Sequence, residues 1–171
     1  MTFSYFVCQV GVFGYSAGGH LATTITTHSE SDFGLTSHDA IDETNGQPDF
    51  LGLGYPVISM ALSSNSRKHL LNGYAGTDLE NLKKSLSGEQ NVTPQMPPVF
   101  LFTSLDDEVI SPQNSVLFQR ALEAAKVPAE VHLFQHGKHG AGLATDHPEE
   151  KVWPELFHQW LLRNYFLSKQ K

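Results

Sequence analysis

Gly14-Tyr15-Ser16-Ala17-Gly18 sets a serine between two glycines, the Gly-x-Ser-x-Gly pattern. In that pattern the serine sits on a strained turn from strand to helix, and the glycines let the helix and a neighbouring strand pass close by. A serine hydroxyl is a weak nucleophile until a base takes its proton, so the site also needs a histidine and an acid to orient that histidine. Leu105-Asp106-Asp107 and Gln135-His136-Gly137-Lys138-His139 supply both types, in the chain order serine, acid, histidine. The chemistry expected of Ser16, Asp107 and His139 is acyl transfer. Ser16 Oγ would attack an ester carbonyl, His139 would accept and return the proton, and Asp107 would hold the imidazole in the right tautomer.

These residues work only if separate elements bring them to one place. Residues from about Phe3 to Phe13 form a mostly apolar, β-favouring run that leads straight into the serine turn and then into helix-compatible Leu21 to Thr27. A second apolar run, Phe50 to Ile58, ends near Pro56, and Pro97-Pro98 introduces a third, Val99 to Thr103. Ser111-Pro112 starts a helix, serine as the cap and proline in the first helical position, with Val116, Leu117, Ala121, Leu122 and Ala125 on its apolar face. Ala129 to Phe134 reads as a fourth strand. Trp153, Leu156, Phe157, Trp160 and Leu161 give the last helix a core-facing stripe, a better account of the tryptophans than a sugar-stacking face. Strands alternating with helices argue for an α/β fold with a mostly parallel sheet of about four strands and flanking helices. In such sheets ligands bind beyond the carboxyl ends of the strands, where Ser16, Asp107 and His139 all fall. Tyr15, beside the nucleophile, is expected by position to contact substrate.

The 171 residues favour one domain spanning 1–171, with an excursion at about 59–97 that carries short helical patterns, among them Thr77-Asp78-Leu79-Glu80 with a cap-like threonine. Eighteen acidic against 11 basic residues give a net charge of −7, which disfavours nucleic-acid and anionic-membrane partners. A single cysteine, Cys8, excludes an intrachain disulfide framework and multi-cysteine metal sites. His132, His136 and His139 lack an acidic ligand at a helix-fixed spacing, so no metal is expected, and no cofactor is implied. The apolar start has no basic leader region and reads as a buried strand; localisation is left open.

Four segments carry a family resemblance: Gly14-Tyr15-Ser16-Ala17-Gly18-Gly19-His20-Leu21-Ala22, Pro48-Asp49-Phe50 leading into Gly54-Tyr55-Pro56-Val57-Ile58, Pro97-Pro98-Val99-Phe100, and Gly137-Lys138-His139-Gly140. Together they resemble the esterase branch of the α/β-hydrolases that includes acetyl-xylan and other carbohydrate-ester esterases, from about Val10 to about Leu162. The resemblance implies a serine carboxylic-ester hydrolase working through an acyl-enzyme, often on short acyl groups of sugars, with small-molecule or carbohydrate esters as substrates. It favours Asp107 over Asp106 and His139 over His136, the latter read as an exposed loop residue and Asp106 as facing the loop or solvent. It makes the Ala17 N–H an oxyanion donor. In this family further strands and a His-Gly-Gly loop with a second oxyanion donor precede the serine. The sequence is therefore expected to be a C-terminal half, a partial fold with an apolar strand edge open to self-association. A catalytically silent fragment or interaction module is the competing expectation.

Overall fold

The computed structural model of the chain describes residues 9–31, 34, 36 and 39–167. Four strands, β1 (Gly11–Tyr15), β2 (Phe50–Gly54), β3 (Val99–Ser104) and β4 (Ala129–Phe134), form one sheet in the order β1-β2-β3-β4, with every neighbouring pair parallel. The helices are α1 (Ser16–Thr27), α2 (Asn65–Leu70), α3 (Gly76–Ser85), α4 (Gln113–Ala124) and α5 (Trp153–Arg163). Residues 3–8 of the expected first strand lie outside the described residues. The strand itself extends through Gly14 and Tyr15, past its expected end, because α1 begins at the very next residue, Ser16. The second strand stops at Gly54, short of Pro56: Tyr55 takes a left-handed φ of 36°, and proline has no N–H to continue the ladder.

The period-two alternation of side chains sorts the sheet into two chemically distinct faces. Leu51, Leu53, Val99 and Leu101 pack one face against Ala22 of α1 and Phe118 and Leu122 of α4. The other face is aromatic: Phe13, Tyr15, Phe50, Phe100, Phe102 and Phe134 pack with Trp153, Phe157 and Trp160 of α5. Trp153 stacks on Phe102 with ring centres 4.6 Å apart and planes 13° from parallel. Gly52 and Gly54 occupy the aromatic face of β2, where a Cβ would run into the rings of Phe13, Tyr15 and Phe102. The two glycines of Phe-Leu-Gly-Leu-Gly thus leave slots for rings from the neighbouring strands.

The α4 start lies one residue past the Ser-Pro reading: the helix begins at Gln113, and Pro112, not Ser111, is the cap. Pro112 already has helical angles, and Ser111 Oγ accepts the Gln113 N–H at 3.3 Å. Its buried side differs from the expected stripe, running through Asn114, Ser115, Phe118 and Leu122, while Val116 and Leu117 are only half-buried. Asn114 explains the rotation. Its Oδ1 accepts the N–H groups of Ile58 and Ser59, both at 2.9 Å, tying the segment after β2 to the helix. In the stretch 59–97 the threonine cap is not formed: Thr77 lies inside α3, which begins after Ala75 with no side-chain cap. Ser64 instead caps α2, accepting the Arg67 N–H. Val57, Met60, Leu71 and Ile110 form a buried apolar cluster that anchors this stretch, with Leu79, Leu82 and Leu86 packed on it.

Candidate active site

Ser16 has φ of 52°, in the left-handed region that a non-glycine residue enters at a cost. Three contacts hold it there. Its carbonyl accepts the Val57 N–H at 3.0 Å, a Cβ on Gly14 would strike the Gly18 carbonyl, and a Cβ on Gly19 would come within 2.7 Å of Pro56 Cβ. Close passage therefore depends on Gly14 and Gly19, whereas a Cβ on Gly18 meets nothing within 4 Å among the described residues. This corrects the motif-based expectation that Gly14 and Gly18 are the two spacing glycines.

From this turn Ser16 Oγ lies 2.8 Å from His139 Nε2, and His139 Nδ1 lies 2.8 Å from Asp107 Oδ2. Three residues separated by 91 and 32 positions in the chain thus meet at the carboxyl ends of β1, β3 and β4. The Asp107 side chain is 1% exposed and that of His139 is 14% exposed. Asp107 Oδ1 accepts the N–H groups of Val109 and Ile110 at 2.8 and 2.9 Å, so the carboxylate is held by two donors before it meets the imidazole. A carboxylate can only accept, so Nδ1 donates and Nε2 is left as the acceptor facing the serine hydroxyl. The Tyr55 ring packs on the imidazole with centres 4.9 Å apart.

Asp106 is engaged rather than simply solvent-facing. Its Oδ1 accepts the Gly137 N–H at 2.9 Å and its Oδ2 pairs with His136 Nδ1 at 3.1 Å, and the His136 contact, with the Gly137 N–H, holds its carboxyl below the usual carboxylate range. His136 is exposed, as expected of a loop residue, and His132 pairs with Glu130, so each of the three clustered histidines faces a different carboxylate.

Ala17 follows the serine at the start of α1, where the first N–H groups have no intrahelical partner. It borders an open apolar cavity of about 580 Å³ lined by Leu21, Val57, Met60, Leu70 and Leu86. Ser16 itself borders a polar cleft of about 350 Å³, lined by Ser63, Ser64, Asn65, Ser66, Lys68 and Glu108. The stretch 59–97 thus contributes to both. Tyr15, expected beside the substrate, turns the other way. Its ring packs on Phe13, Tyr55, Phe102 and Trp153, lines neither cavity, and its hydroxyl is pushed up to about 12 by burial and the neighbouring Tyr55. Sequence spacing gave no signal for the serine-rich cleft, because Ser63–Ser66 reads equally well as a turn before a helix.

A parallel sheet with helices on both faces, a serine on a left-handed turn between strand and helix, and an acid and a histidine after later strands define the α/β-hydrolase class. Within it the chain belongs to the BD-FAE family, whose model matches residues 2–122. That match includes Ser16 and Asp107 and ends before His139. Among solved structures the chain is similar to an acetyl ester-xyloside bifunctional hydrolase from Caldicellulosiruptor lactoaceticus, with 38% identity and a TM-score of 0.83 over 92% of this chain and 57% of that one. It is 32% identical over 160 residues to an endo-1,4-beta-xylanase B of Butyrivibrio fibrisolvens, covering 92% of this chain and 23% of the relative. It is 28% identical over 141 residues to an acetylxylan esterase of Xylanibacter ruminicola, covering 80% of this chain and 27% of the relative. The chain thus spans about a quarter of the curated relatives and somewhat more than half of the solved one.

Proposed function

We propose that this chain carries the catalytic relay of a serine carboxylic-ester hydrolase that acts through an acyl-enzyme on short, acetyl-type esters of carbohydrates. The observation that carries the reading is the unbroken run of hydrogen-bond contacts from Ser16 Oγ through His139 to Asp107, with the serine on a left-handed turn. Ser16 Oγ attacks the ester carbonyl as His139 Nε2 takes its proton, and the same nitrogen then protonates the departing alkoxide. In the second half His139 deprotonates a water that attacks the acyl carbonyl, and returns that proton to Ser16 Oγ as the carboxylic acid leaves. Asp107 keeps Nδ1 protonated and faces the imidazolium when it forms. The Ala17 N–H, at the positive end of α1, is the donor for the oxyanion.

The two cavities fit the two halves of such a substrate. The apolar one at Ala17 suits an acyl chain, and the serine-rich cleft offers hydroxyl partners to a sugar alcohol. The names of the similar proteins, which include an acetylxylan esterase and an acetyl ester-xyloside hydrolase, support the same substrate class.

The test is intact mass after exposure of the chain to a fluorophosphonate, which requires an activated serine but no complete substrate pocket. One adduct is expected, absent in Ser16→Ala and His139→Ala, followed by release of acetate from acetylated xylose in preference to butyrate esters. An adduct that survives Ser16→Ala, or no adduct on the folded chain, would refute the proposed relay.

A further inference from the structure

Residues 136–139, which deliver His139, hang from carboxylates at every position. The His136 N–H donates to Glu149 Oε2 at 3.0 Å, Gly137 to Asp106 Oδ1 at 2.9 Å, Lys138 to Glu150 Oε2 at 3.1 Å, and the His139 ring to Asp107 Oδ2 at 2.8 Å. Asp106 and Glu149 are exposed, whereas Glu150, in the short 3₁₀ turn before α5, is 0% exposed. A fully buried glutamate is rare unless it is paired, and no cation pairs with this one among the described residues. Among the described residues its Oε1 has no hydrogen-bond partner, and neither does the neighbouring buried Ser104 Oγ on β3. Both side chains fill the space beside Gly137, where a Cβ would collide with Ser104 Oγ and come within 2.6 Å of Glu150 Oε2. The loop, the end of β3 and the turn before α5 therefore interlock around one carboxyl.

We propose that Glu150 is a positioning residue for His139: a buried acid that grips the Lys138 N–H and so fixes where the imidazole stands relative to Ser16 Oγ. The inference rests on His139 being the base. Burial raises the Glu150 carboxyl above its ordinary range, opposed by the Lys138 N–H, His147 and the Ser104 hydroxyl and reinforced by Asp107. Tyr55, after β2, faces it as well, and its own hydroxyl is raised first by burial and in part by Glu150. Of the groups around it, Asp107 disfavours a second negative charge and His147 favours one. One oxygen, Oε2, accepts the Lys138 N–H, and burial weakens the tendency of the carboxyl to ionise, which lessens the cost of holding it inside.

The experiment compares the wild-type chain with Glu150→Gln and Glu150→Ala in fluorophosphonate capture rate across pH, and follows the Glu150 carboxyl carbon and the His139 Nδ1 proton by NMR. Glutamine keeps the shape, the acceptor and a donor without charge, so its capture rate should stay within about threefold of wild type with the same pH profile. Alanine releases Lys138 and should slow capture about 10- to 100-fold, the cost of a misplaced base, in a chain that still melts above the assay temperature. The wild-type carboxyl carbon should titrate above the ordinary glutamate range. Equal rates for alanine and wild type overturn the positioning role, as does an unmoved His139 Nδ1 proton in Glu150→Ala. A glutamine variant as slow as alanine overturns a clamp that works by shape and acceptor, and a carboxyl that titrates as an ordinary glutamate overturns its buried setting. If the wild type captures no phosphonate, the Ser16 reading fails, while the carboxyl titration and the Nδ1 proton still decide the role of Glu150. If alanine fails to fold, the glutamine variant and the wild-type titration decide it.

Discussion

Asp107→Asn moves one proton and little else. In the structure Oδ1 accepts from Val109 and Ile110 and Oδ2 from His139 Nδ1. Asparagine has one accepting oxygen, and it will face the two backbone N–H groups, because the opposite orientation sets an amide NH₂ against two donors. The NH₂ then points at His139 Nδ1, which must accept, so the imidazole carries its proton on Nε2. At 2.8 Å from Ser16 Oγ that Nε2–H donates to the hydroxyl where it formerly accepted, and the serine loses its base. A wrong tautomer of this kind costs roughly 10⁴-fold in turnover, about 5.5 kcal/mol of barrier. Stability should fall by only about 1 kcal/mol, since both backbone bonds survive. Asp107→Ala, by contrast, also strips the acceptor from Val109 and from buried Ile110, adding about 1–3 kcal/mol of destabilisation. The assay pairs the pseudo-first-order phosphonate capture rate with urea unfolding of both variants. Capture by Asp107→Asn within tenfold of wild type, with the fold intact, would refute the tautomer argument.

The other perturbations probe the scaffold. Gly19→Ala sets a methyl against Pro56 and should destabilise by about 1–3 kcal/mol, while Gly18→Ala, in open space on a helix, should be neutral or stabilise by up to about 1 kcal/mol; reversal of that order in urea melts would mean the elbow is packed differently. Asn114→Leu leaves the Ile58 and Ser59 N–H groups without their acceptor, and a loss of about 2 kcal/mol or more in unfolding free energy is expected. His20 lies half-buried with Nε2 on the Leu86 carbonyl, and burial lowers its pKa from the ordinary 6.5. A lowered folded-state pKa favours the neutral ring, so its contribution is complete above the unfolded value and is lost as pH falls through about 6.5 toward the folded one. Melting temperature should drop over that window, and His20→Gln should flatten the drop.

Much of the architecture was legible because it follows from local pattern. β4 and the α5 stripe fall where the sequence places them, since alternation and the 3.6-residue period are set by neighbours a few positions apart. The Ser16, Asp107 and His139 assembly could be anticipated because strand ends of a parallel sheet share one side. What escaped was set by long-range contacts. The α4 face turned toward Asn114 because two N–H groups far upstream needed an acceptor, and Thr77 gave up its cap to a helix starting two residues earlier than its pattern suggests. Tyr15 joined the aromatic face because Gly54, on the next strand, leaves a slot that no property of Tyr15 itself announces. The acids behind residues 136–138 are likewise ordinary surface-type residues in sequence and become specific only when the loop folds over them.

The division of the sheet into an aliphatic and an aromatic side also gives the molecule a built-in optical sensor. Both tryptophans of the chain, Trp153 and Trp160, lie on the aromatic side, and Trp153 Nε1 donates to the Gly142 carbonyl at 2.9 Å, three residues past His139. The same glycine donates its N–H to the Tyr55 hydroxyl at 3.2 Å, so Trp153 shares an anchor with the ring that packs on the imidazole. Indole emission shifts when that bond is exchanged for water. Intrinsic fluorescence should therefore register the docking of the histidine-bearing loop, while loosening of the α1 and α4 side passes nearly unseen.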